Sequence, residues 1–159
     1  MISYLETDET ELDLIKDLWE KLNHHHQLRS KNFHQDYLNI LFEDRKDELI
    51  KKSNDGELRL DLALDNTVEN TIGYCISSFS GETGEIDSIY IEEKFRMLGI
   101  GNTLMKRALR WMDLNNVENR QVKISVGNDV AIKFYNQYGF QPKHVILKQL
   151  KNEYNAEEG

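Results

Sequence analysis

The stretch Gly84–Trp111 limits the fold of this chain more than any other segment. It opens with a period-two alternation that places Glu85, Asp87, Ile89 and Ile91 on one face and the intervening residues on the other, which predicts a β-strand. A short charged loop follows, and apolar residues then recur at spacings of three and four, which predicts an amphipathic α-helix. The segment therefore predicts a strand, a loop and a helix in direct succession.

The loop of this segment, Arg96–Gly101, has the order Arg-x-x-Gly-x-Gly and leads directly into the helix. Glycines at its fourth and sixth positions let the backbone approach a ligand closely. The first N–H groups of a helix have no partner within the helix and lie at its positive end, so they bind phosphate groups well. An arginine adds a full charge beside them. The loop therefore predicts a phosphate or pyrophosphate site, although an ordinary tight turn before a helix would also use glycine here.

Two other glycine-rich phosphate loops do not fit this sequence. A dinucleotide-binding loop carries a third glycine three residues after Gly101, where this chain has Leu104. A P-loop carries Gly-Lys followed by Ser or Thr, whereas Asn102 follows Gly101 here. Neither nucleotide-binding class is therefore predicted.

The amino-acid composition limits the kinds of binding partner that the chain is expected to have. The chain has 159 residues, which suits one domain, and its 39% apolar and 30% charged content is typical of a globular protein. The net charge of −8 disfavours nucleic acid and anionic membranes as partners and is compatible with a cationic substrate such as an amine. No signal sequence and no membrane-spanning stretch is recognisable, so a cytoplasmic location is expected.

The rest of the chain predicts a mixed α/β domain. A strand over 58–64, with its leucines inward and Arg59, Asp61 and Ala63 outward, begins an antiparallel meander that ends at Ile91. The other predicted elements are a strand at 2–5, helices from about 8 to 22 and from 33 to 50, a strand at 71–79, a helix at 100–115, a strand at 121–126, a short helix capped by Asn128 or Asp129, and a last strand at 140–150.

Two further features have both a structural and a functional interpretation. The run His24–His26 is most simply a polar helix end, and the alternative is that one imidazole lines a substrate pocket. Three consecutive side chains do not converge on one ion, so no metal site is predicted. The single cysteine, Cys75, lies in an apolar run, where a small buried side chain is the usual role. The alternative is a reactive thiol, although the sequence shows no adjacent base or helix start that would lower its pKa.

A second motif follows the strand predicted at 121–126. It reads Asn128-x-x-Ala131-x-x-Phe134-Tyr135-x-x-x-Gly139-Phe140. Together with the loop Arg96–Gly101, it resembles the two signatures of the GNAT superfamily of N-acetyltransferases. The two signatures have the separation and the strand and helix context that the family shows, so the resemblance spans nearly the whole chain.

The resemblance implies an α+β fold, with a central, mostly antiparallel, twisted sheet of about six to seven strands flanked by about four helices. It implies one N-acetyltransferase domain over residues 1–151, followed by a polar tail at 152–159. The implied activity is transfer of an acetyl group from acetyl-CoA, without a metal, to a primary amine of a small molecule or protein. A non-catalytic acetyl-CoA or CoA sensor is the alternative, and neither length nor charge decides whether the chain forms a homodimer.

The resemblance also implies roles for individual residues. Tyr135 matches the family tyrosine that acts as general acid toward the CoA sulfur. Glu85 matches a glutamate base of histone-acetylating relatives, and Asp87 shares its predicted face, so one of these carboxylates, or water, is expected to accept the amine proton. Alternatively, both carboxylates only attract a cationic substrate. The residues expected to hold the cofactor are Ile89, Tyr90, Ile91, Arg96, Met97, Leu98, Gly99, Ile100, Gly101, Asn102, Asn128, Phe134 and Tyr135.

Overall fold

The protein is described by a computed structural model that covers residues 1–151 and residue 154. Within that part of the chain the strands are β1 (Ile2–Thr7), β2 (Glu57–Asp65), β3 (Asn70–Ser80), β4 (Thr83–Ile91) and β5 (Asn119–Val122). The α-helices are α1 (Lys16–Arg29), α2 (His34–Asn39), α3 (Phe42–Asp55), α4 (Ile100–Leu114) and α5 (Asp129–Asn136), and two 3₁₀ helices span Glu9–Ile15 and Glu93–Phe95. The mixed α/β class is as predicted.

The strands form one sheet in the order β1-β2-β3-β4-β5. The strands β2, β3 and β4 form the predicted antiparallel meander, β1 adds to it antiparallel to β2, and β5 lies parallel to β4. A parallel pair needs a crossover connection, and α4 supplies it. Asn116, in a left-handed conformation with φ 56°, ends α4 and turns the chain back toward β5.

Helices cover both faces of the sheet. On one face α1, α3 and the first 3₁₀ helix pack on the leucines of β2, and on the other face α4 and α5 pack on Ile72, Cys75 and Ile86. The prediction that Asp61 and Ala63 of β2 face solvent is therefore wrong, since both are 0% exposed. The alternation of β2 separates two buried faces, because each face of the sheet is covered by helices.

The predicted parity of β4 is also wrong, because the strand contains a β-bulge. The register between β3 and β4 shifts between Ile76 and Ser77, which leaves Asp87 as the extra residue on β4. Glu85 and Asp87 consequently lie on the α3 side, as does Tyr90, whereas the isoleucines that follow the bulge pack toward α4. A one-residue insertion moves every later side chain to the opposite face.

The helix predicted over 33–50 is two helices. Ile40 is extended, with φ −80° and ψ 119°, and separates α2 from α3. The carboxylate of Asp44 then accepts a hydrogen bond from the Leu41 N–H at 3.4 Å, which helps α3 to begin. Upstream, the predicted first helix starts as the 3₁₀ helix Glu9–Ile15 and continues as α1, which extends to Arg29 and includes the histidine run.

The sheet has five strands in the described residues, fewer than the six to seven predicted. Residues 140–150 were predicted as a strand and lie outside the sheet. Pro142 has no N–H to donate, and Val145, Ile146 and Leu147 are 72%, 82% and 91% exposed, so the segment buries little apolar area that would hold it on the sheet. Most of the predicted tail, 152–159, lies outside the described residues.

Candidate active site

The central strand β4 is paired along both edges only in its first half. It pairs with β5 from Thr83 to Ile86, opposite Asn119–Val122, and the two strands then separate. In the described part of the chain, residues 88–91 of the strand are paired with β3 alone, and Asp87 is the bulge residue without a partner in the β3 register. Backbone groups need hydrogen-bond partners, so a half-open strand can bind an extended ligand along its free edge.

The N-terminus of α4 opens onto the same region. Gly99 precedes the helix with a left-handed φ of 80°, which favours glycine, and the first bond of the helix runs from the Thr103 N–H to the Gly99 carbonyl at 3.1 Å. No side chain of the described residues caps this end, and its first turn holds no acidic residue. The N–H groups of Ile100, Gly101 and Asn102 are therefore available to an anion at the positive end of the helix dipole.

The space around this helix end is shaped by its glycines and by α5. A side chain at Gly99 would meet no other atom within 4 Å, so the position faces open space. A Cβ at Gly101 would lie 3.4 Å from the Phe134 ring and 3.5 Å from Ile91, so glycine lets β4, α4 and α5 meet closely. These features make a cradle that fits a pyrophosphate with an extended arm beside β4.

Arg96 lies at the rim of this cradle. Its Nε donates to the Ile91 carbonyl at 2.9 Å, and its guanidinium lies 5.2 Å from the centre of the Tyr90 ring. The residue is exposed, as are the neighbouring Met97 and Leu98. The guanidinium is thus held in place while its terminal nitrogens remain open to a charged ligand.

Tyr135 lies on α5, whose start is held by the predicted cap. The Asn128 side chain accepts a hydrogen bond from the Ala131 N–H at 3.2 Å. The Tyr135 ring is 6% exposed and packs edge-on against Phe134 at 5.2 Å. Burial raises the pKa of Tyr135, and no hydrogen bond within the described residues opposes that shift, so its hydroxyl stays protonated well into the alkaline range.

The two predicted carboxylates meet a lysine that sequence reasoning missed. The Lys52 ammonium on α3 lies 3.2 Å from the Glu85 carboxylate and also pairs with Asp87. Asp87 accepts a further bond from the Ser78 hydroxyl at 2.6 Å, and Glu85 accepts one from the Gln121 amide at 3.1 Å. Both carboxylates are therefore close together, as predicted, and both are already paired.

The surroundings shift the pKa values of the two carboxylates in opposite directions. Burial raises the pKa of Asp87 more than the Lys52 ammonium and the Ser78 hydroxyl lower it, since its side chain is 0% exposed. Burial also opposes ionisation of Glu85, which is 15% exposed, but the Gln121 amide and Lys52 outweigh burial and lower its pKa. The same carboxylates outweigh the burial of Lys52 and raise the pKa of its ammonium. Glu85 is thus the more readily ionised carboxylate.

The sequence profile of the acetyltransferase (GNAT) family matches residues 15–140. The chain belongs to this family. An uncharacterized N-acetyltransferase of Methanocaldococcus jannaschii is 32% identical over 70 residues, which are 44% of this chain and 31% of that relative, so the match spans about a third of the relative's length.

Solved structures share the GNAT fold. A putative acetyl transferase from Pyrococcus furiosus aligns with a TM-score of 0.68 and 22% identity, covering 92% of this chain and 99% of the other. The PaiA N-acetyltransferase from Thermoplasma acidophilum, in complex with coenzyme A, aligns with a TM-score of 0.71 and 15% identity, covering 92% and 93% of the two chains.

In this GNAT chain the helices α1 and α2 extend over the gap between β4 and β5. The His25 ring lies 6.1 Å from Tyr90 of β4, and the His26 ring lies 5.4 Å from Tyr37 of α2. The Tyr37 hydroxyl is 2.6 Å from the Ser125 hydroxyl in the segment after β5. These two histidines therefore lie near the gap, and the interpretation that one of them lines a substrate pocket stays a prediction. The described residues include no cluster of three metal-ligating side chains.

Sequence reasoning also missed Arg45 of α3. Arg45 lies in the charged run 43–48, but its side chain is only 22% exposed and donates to the Asp87 carbonyl at 3.0 Å. Arg45 and Lys52 are seven residues apart, so they lie on the same face of the helix. The spacing of Arg45 and Lys52 can be seen in the sequence, but the strand that they contact cannot.

None of the helices in the described part of this GNAT chain has the length and apolarity to cross a membrane.

Proposed function

We propose that this protein is an N-acetyltransferase that uses acetyl-CoA to acetylate a primary amine of a small molecule or a protein. One observation carries the proposal: the uncapped, glycine-framed start of α4 adjoins the half of β4 that is open along one edge. A pyrophosphate and an extended amide-containing arm are complementary to these two features. Acetyl-CoA supplies both, together with an activated thioester.

The backbone of α4 and β4 is proposed to hold the cofactor. The N–H groups of the first turn of α4 and the Arg96 guanidinium bind the pyrophosphate, and the free edge of Ile89–Ile91 receives the arm. Phe134 and Tyr135 border the arm from α5, with Asn128 at the start of that helix. Holding the cofactor in this way fixes the position of its reacting end, which contributes much of the rate.

Glu85 is the proposed proton acceptor. Its pKa is lowered, so it is ionised at neutral pH, and part of its side chain remains exposed. Asp87 is less suited, because its side chain is 0% exposed and is bonded to Lys52 and Ser78. Asp87 is therefore proposed to orient Lys52, while Glu85 receives the proton from the amine directly or through water.

Tyr135 is the proposed proton donor. Burial keeps its hydroxyl protonated above neutral pH, which is the form that a general acid requires. The signature around it is complete, and the ring is fixed by its contacts with Phe134 and Phe140. Packing holds the donor in one orientation, and no hydrogen bond from the part of the chain that the structure describes competes for the proton.

A transfer assay tests the proposal. The purified protein is incubated with radiolabelled acetyl-CoA and a panel of polyamines, aminoglycosides, amino-acid amides and lysine peptides, beside a Gly101→Asp variant as the blank. We expect label transfer to at least one amine class by the wild type alone. Cofactor binding without transfer to any amine would contradict the catalytic assignment.

A non-catalytic CoA sensor is the second candidate, and one observation favours it. Lys52 pairs with both predicted proton acceptors, which would suit a site that binds the cofactor and leaves it intact. The two functions differ in the fate of the thioester. A sensor binds acetyl-CoA and releases it unchanged, whereas a transferase releases free CoA thiol in proportion to the acetylated amine.

A further inference from the structure

The bulge residue of β4 is held by α3 at two points. The Arg45 guanidinium donates to the Asp87 backbone carbonyl at 3.0 Å, and the Lys52 ammonium pairs with the Asp87 carboxylate. Ser78 of β3 donates to the same carboxylate at 2.6 Å. Glu85 is also contacted by α3 and by a neighbouring strand, through Lys52 at 3.2 Å and Gln121 at 3.1 Å, but only at its carboxylate, whereas Asp87 is bonded at its main chain as well.

The main chain of Asp87 lies where the sheet opens. Its side chain is 0% exposed, yet the residue as a whole is partly exposed, so the exposed atoms belong to its backbone. Pairing with β5 ends one residue earlier, at Ile86, and pairing with β3 is displaced at Asp87 itself. A bulge disrupts the ladder locally and leaves backbone groups without strand partners. Arg45 satisfies one of these groups, the carbonyl.

We propose that Arg45 and Lys52 are positioning residues that fix the Asp87 bulge and thereby keep the second half of β4 open for the cofactor. This inference rests on the proposed function, because it concerns the edge along which acetyl-CoA is proposed to bind. Without the two contacts, the bulged carbonyl and carboxylate lose their partners from α3, and the bulge is free to move along the strand. The free edge of Ile89–Ile91 would then no longer be preformed.

The geometry of α3 supports a joint role for the two cations. Both side chains leave the same face of the helix and reach one residue, although they are 35 and 42 positions away from it in sequence. Packing of Leu49 of α3, which is 0% exposed, fixes the helix between them. Arg45 holds the main chain and Lys52 holds the side chain, so the residue cannot rotate or shift without breaking one contact. The two substitutions should therefore be strongly coupled.

Neighbouring residues of α3 supply matched controls. The test variants are Arg45→Met, Lys52→Met and their combination. The controls are Lys46→Met, whose ammonium pairs with Asp13 on the surface, and Lys51→Met, which is exposed. Lys52→Arg tests rescue, because it keeps a cation beside the carboxylate. Arg45→Met removes the bond to the Asp87 carbonyl and an ion pair with the exposed Glu48, so it is expected to fold even if Lys52→Met, which leaves a buried carboxylate without its cation, does not.

Two measurements test the positioning role of Arg45 and Lys52. Both are made at a temperature at which every variant is folded. Amide hydrogen exchange of the free protein should accelerate in Ser88–Ile91 for each test variant and remain unchanged in β1 and β2. Calorimetric affinity for CoA should fall about tenfold or more in Arg45→Met and further in the combination, a range typical of supporting contacts around a site. Both values should match wild type in the controls and return toward it in Lys52→Arg.

The results separate this inference from the proposed function. If the wild type binds CoA and Arg45→Met binds it equally well with unchanged exchange in β4, then the positioning role is wrong and the proposed function stands. A lower melting temperature with unchanged affinity would show a role in stability alone and would also overturn the inference. If the wild type does not bind CoA, both the proposed function and this inference fail.

Discussion

The two sides of β4 use different chemistry. On the α4 side the candidate site consists of backbone N–H groups, two glycines and the aromatic ring of Phe134. On the α3 side it consists of charged side chains, with Glu85 and Asp87 facing Lys52. The first arrangement suits binding of a large, constant ligand, and the second suits movement of a proton at a variable amine.

We expect substitutions in the cradle at the start of α4 to weaken cofactor binding. Substitutions of the proton-transfer groups, Glu85 on the α3 side and Tyr135 on the α4 side, should slow the reaction with little effect on cofactor affinity. An interaction that strengthens only as charge develops contributes to rate and not to binding. Four substitutions, taken from the largest expected effect to the smallest, test this separation.

Gly101→Asp should abolish cofactor binding. It places a negative charge at the helix end proposed for the pyrophosphate, beside Phe134 at 3.4 Å. Like charges in contact cost several kcal/mol, which corresponds to at least about 100-fold in affinity. Gly101→Ala is the control, since its methyl group adds volume without charge and should weaken binding less. Titration calorimetry with CoA measures both variants, and unchanged affinity in the aspartate variant would remove the cradle from the cofactor site.

Glu85→Gln should slow transfer and leave CoA affinity unchanged. Removing a general base typically costs about 10²- to 10⁴-fold in rate. Because the pKa of Glu85 is lowered, the wild-type rate should hold down to pH values below the ordinary range of a glutamate, and the variant should be slow throughout. Glu82→Gln, in the exposed turn before β4, is the matched control. A rate within a few-fold of wild type would transfer the role to Asp87, a histidine or water.

Tyr135→Phe should have a smaller effect on turnover, about 10- to 10³-fold, because a thiol with an ordinary pKa of about 8.5 leaves partly unaided. It removes one oxygen and keeps the buried ring. Burial raises the pKa of Tyr135, so its deprotonation should not limit the wild-type rate in the mildly alkaline range. Tyr4→Phe on β1 is the control. Equal turnover in steady-state assays of Tyr135→Phe and wild type would make Tyr135 a packing residue.

Asn128→Ala should mainly affect stability. Losing an N-cap costs typically ~1 kcal/mol, and the side chain here bonds the Ala131 N–H at 3.2 Å. Chemical denaturation should report that loss, and Asn128→Asp should recover most of it because aspartate also caps. A fall in CoA affinity beyond a few-fold in Asn128→Asp, despite its recovered stability, would mean that Asn128 contacts the cofactor directly, as Phe134 of α5 is proposed to do.

The α4 side was largely predictable from sequence because its determinants are local. The loop Arg96–Gly101 encodes its own geometry, since glycine takes the left-handed φ at position 99 and the helix start follows at once. The cap of α5 by Asn128 is equally local. The meander β2-β3-β4 was predicted because strict alternation and short turns specify neighbouring strands.

The α3 side was only partly predictable because it depends on a one-residue irregularity and on distant partners. The sequence placed Glu85 and Asp87 on one face correctly, but no periodicity marks the bulge that separates them from Ile89. Lys52 reaches Asp87 across 35 positions, and nothing in either local pattern specifies that contact. The prediction of a last strand at 140–150 was wrong for a related reason. Alternation of apolar and polar residues does not show whether a neighbouring strand has a free edge for pairing.

The buried thiol of Cys75, on the middle strand of the sheet, can report when the folded domain opens. Cys75 on β3 is the single cysteine of the chain, is 0% exposed, and pairs with Asp61 of β2 and Ile89 of β4. The Cys75 side chain lies under α4 and α5, so a thiol-reactive dye can label it only after these helices have left that face of the sheet or the domain has unfolded. Burial also raises the pKa of the thiol, which slows labelling further. The labelling rate therefore follows that opening, and any ligand that binds only the closed form slows it in proportion to its occupancy.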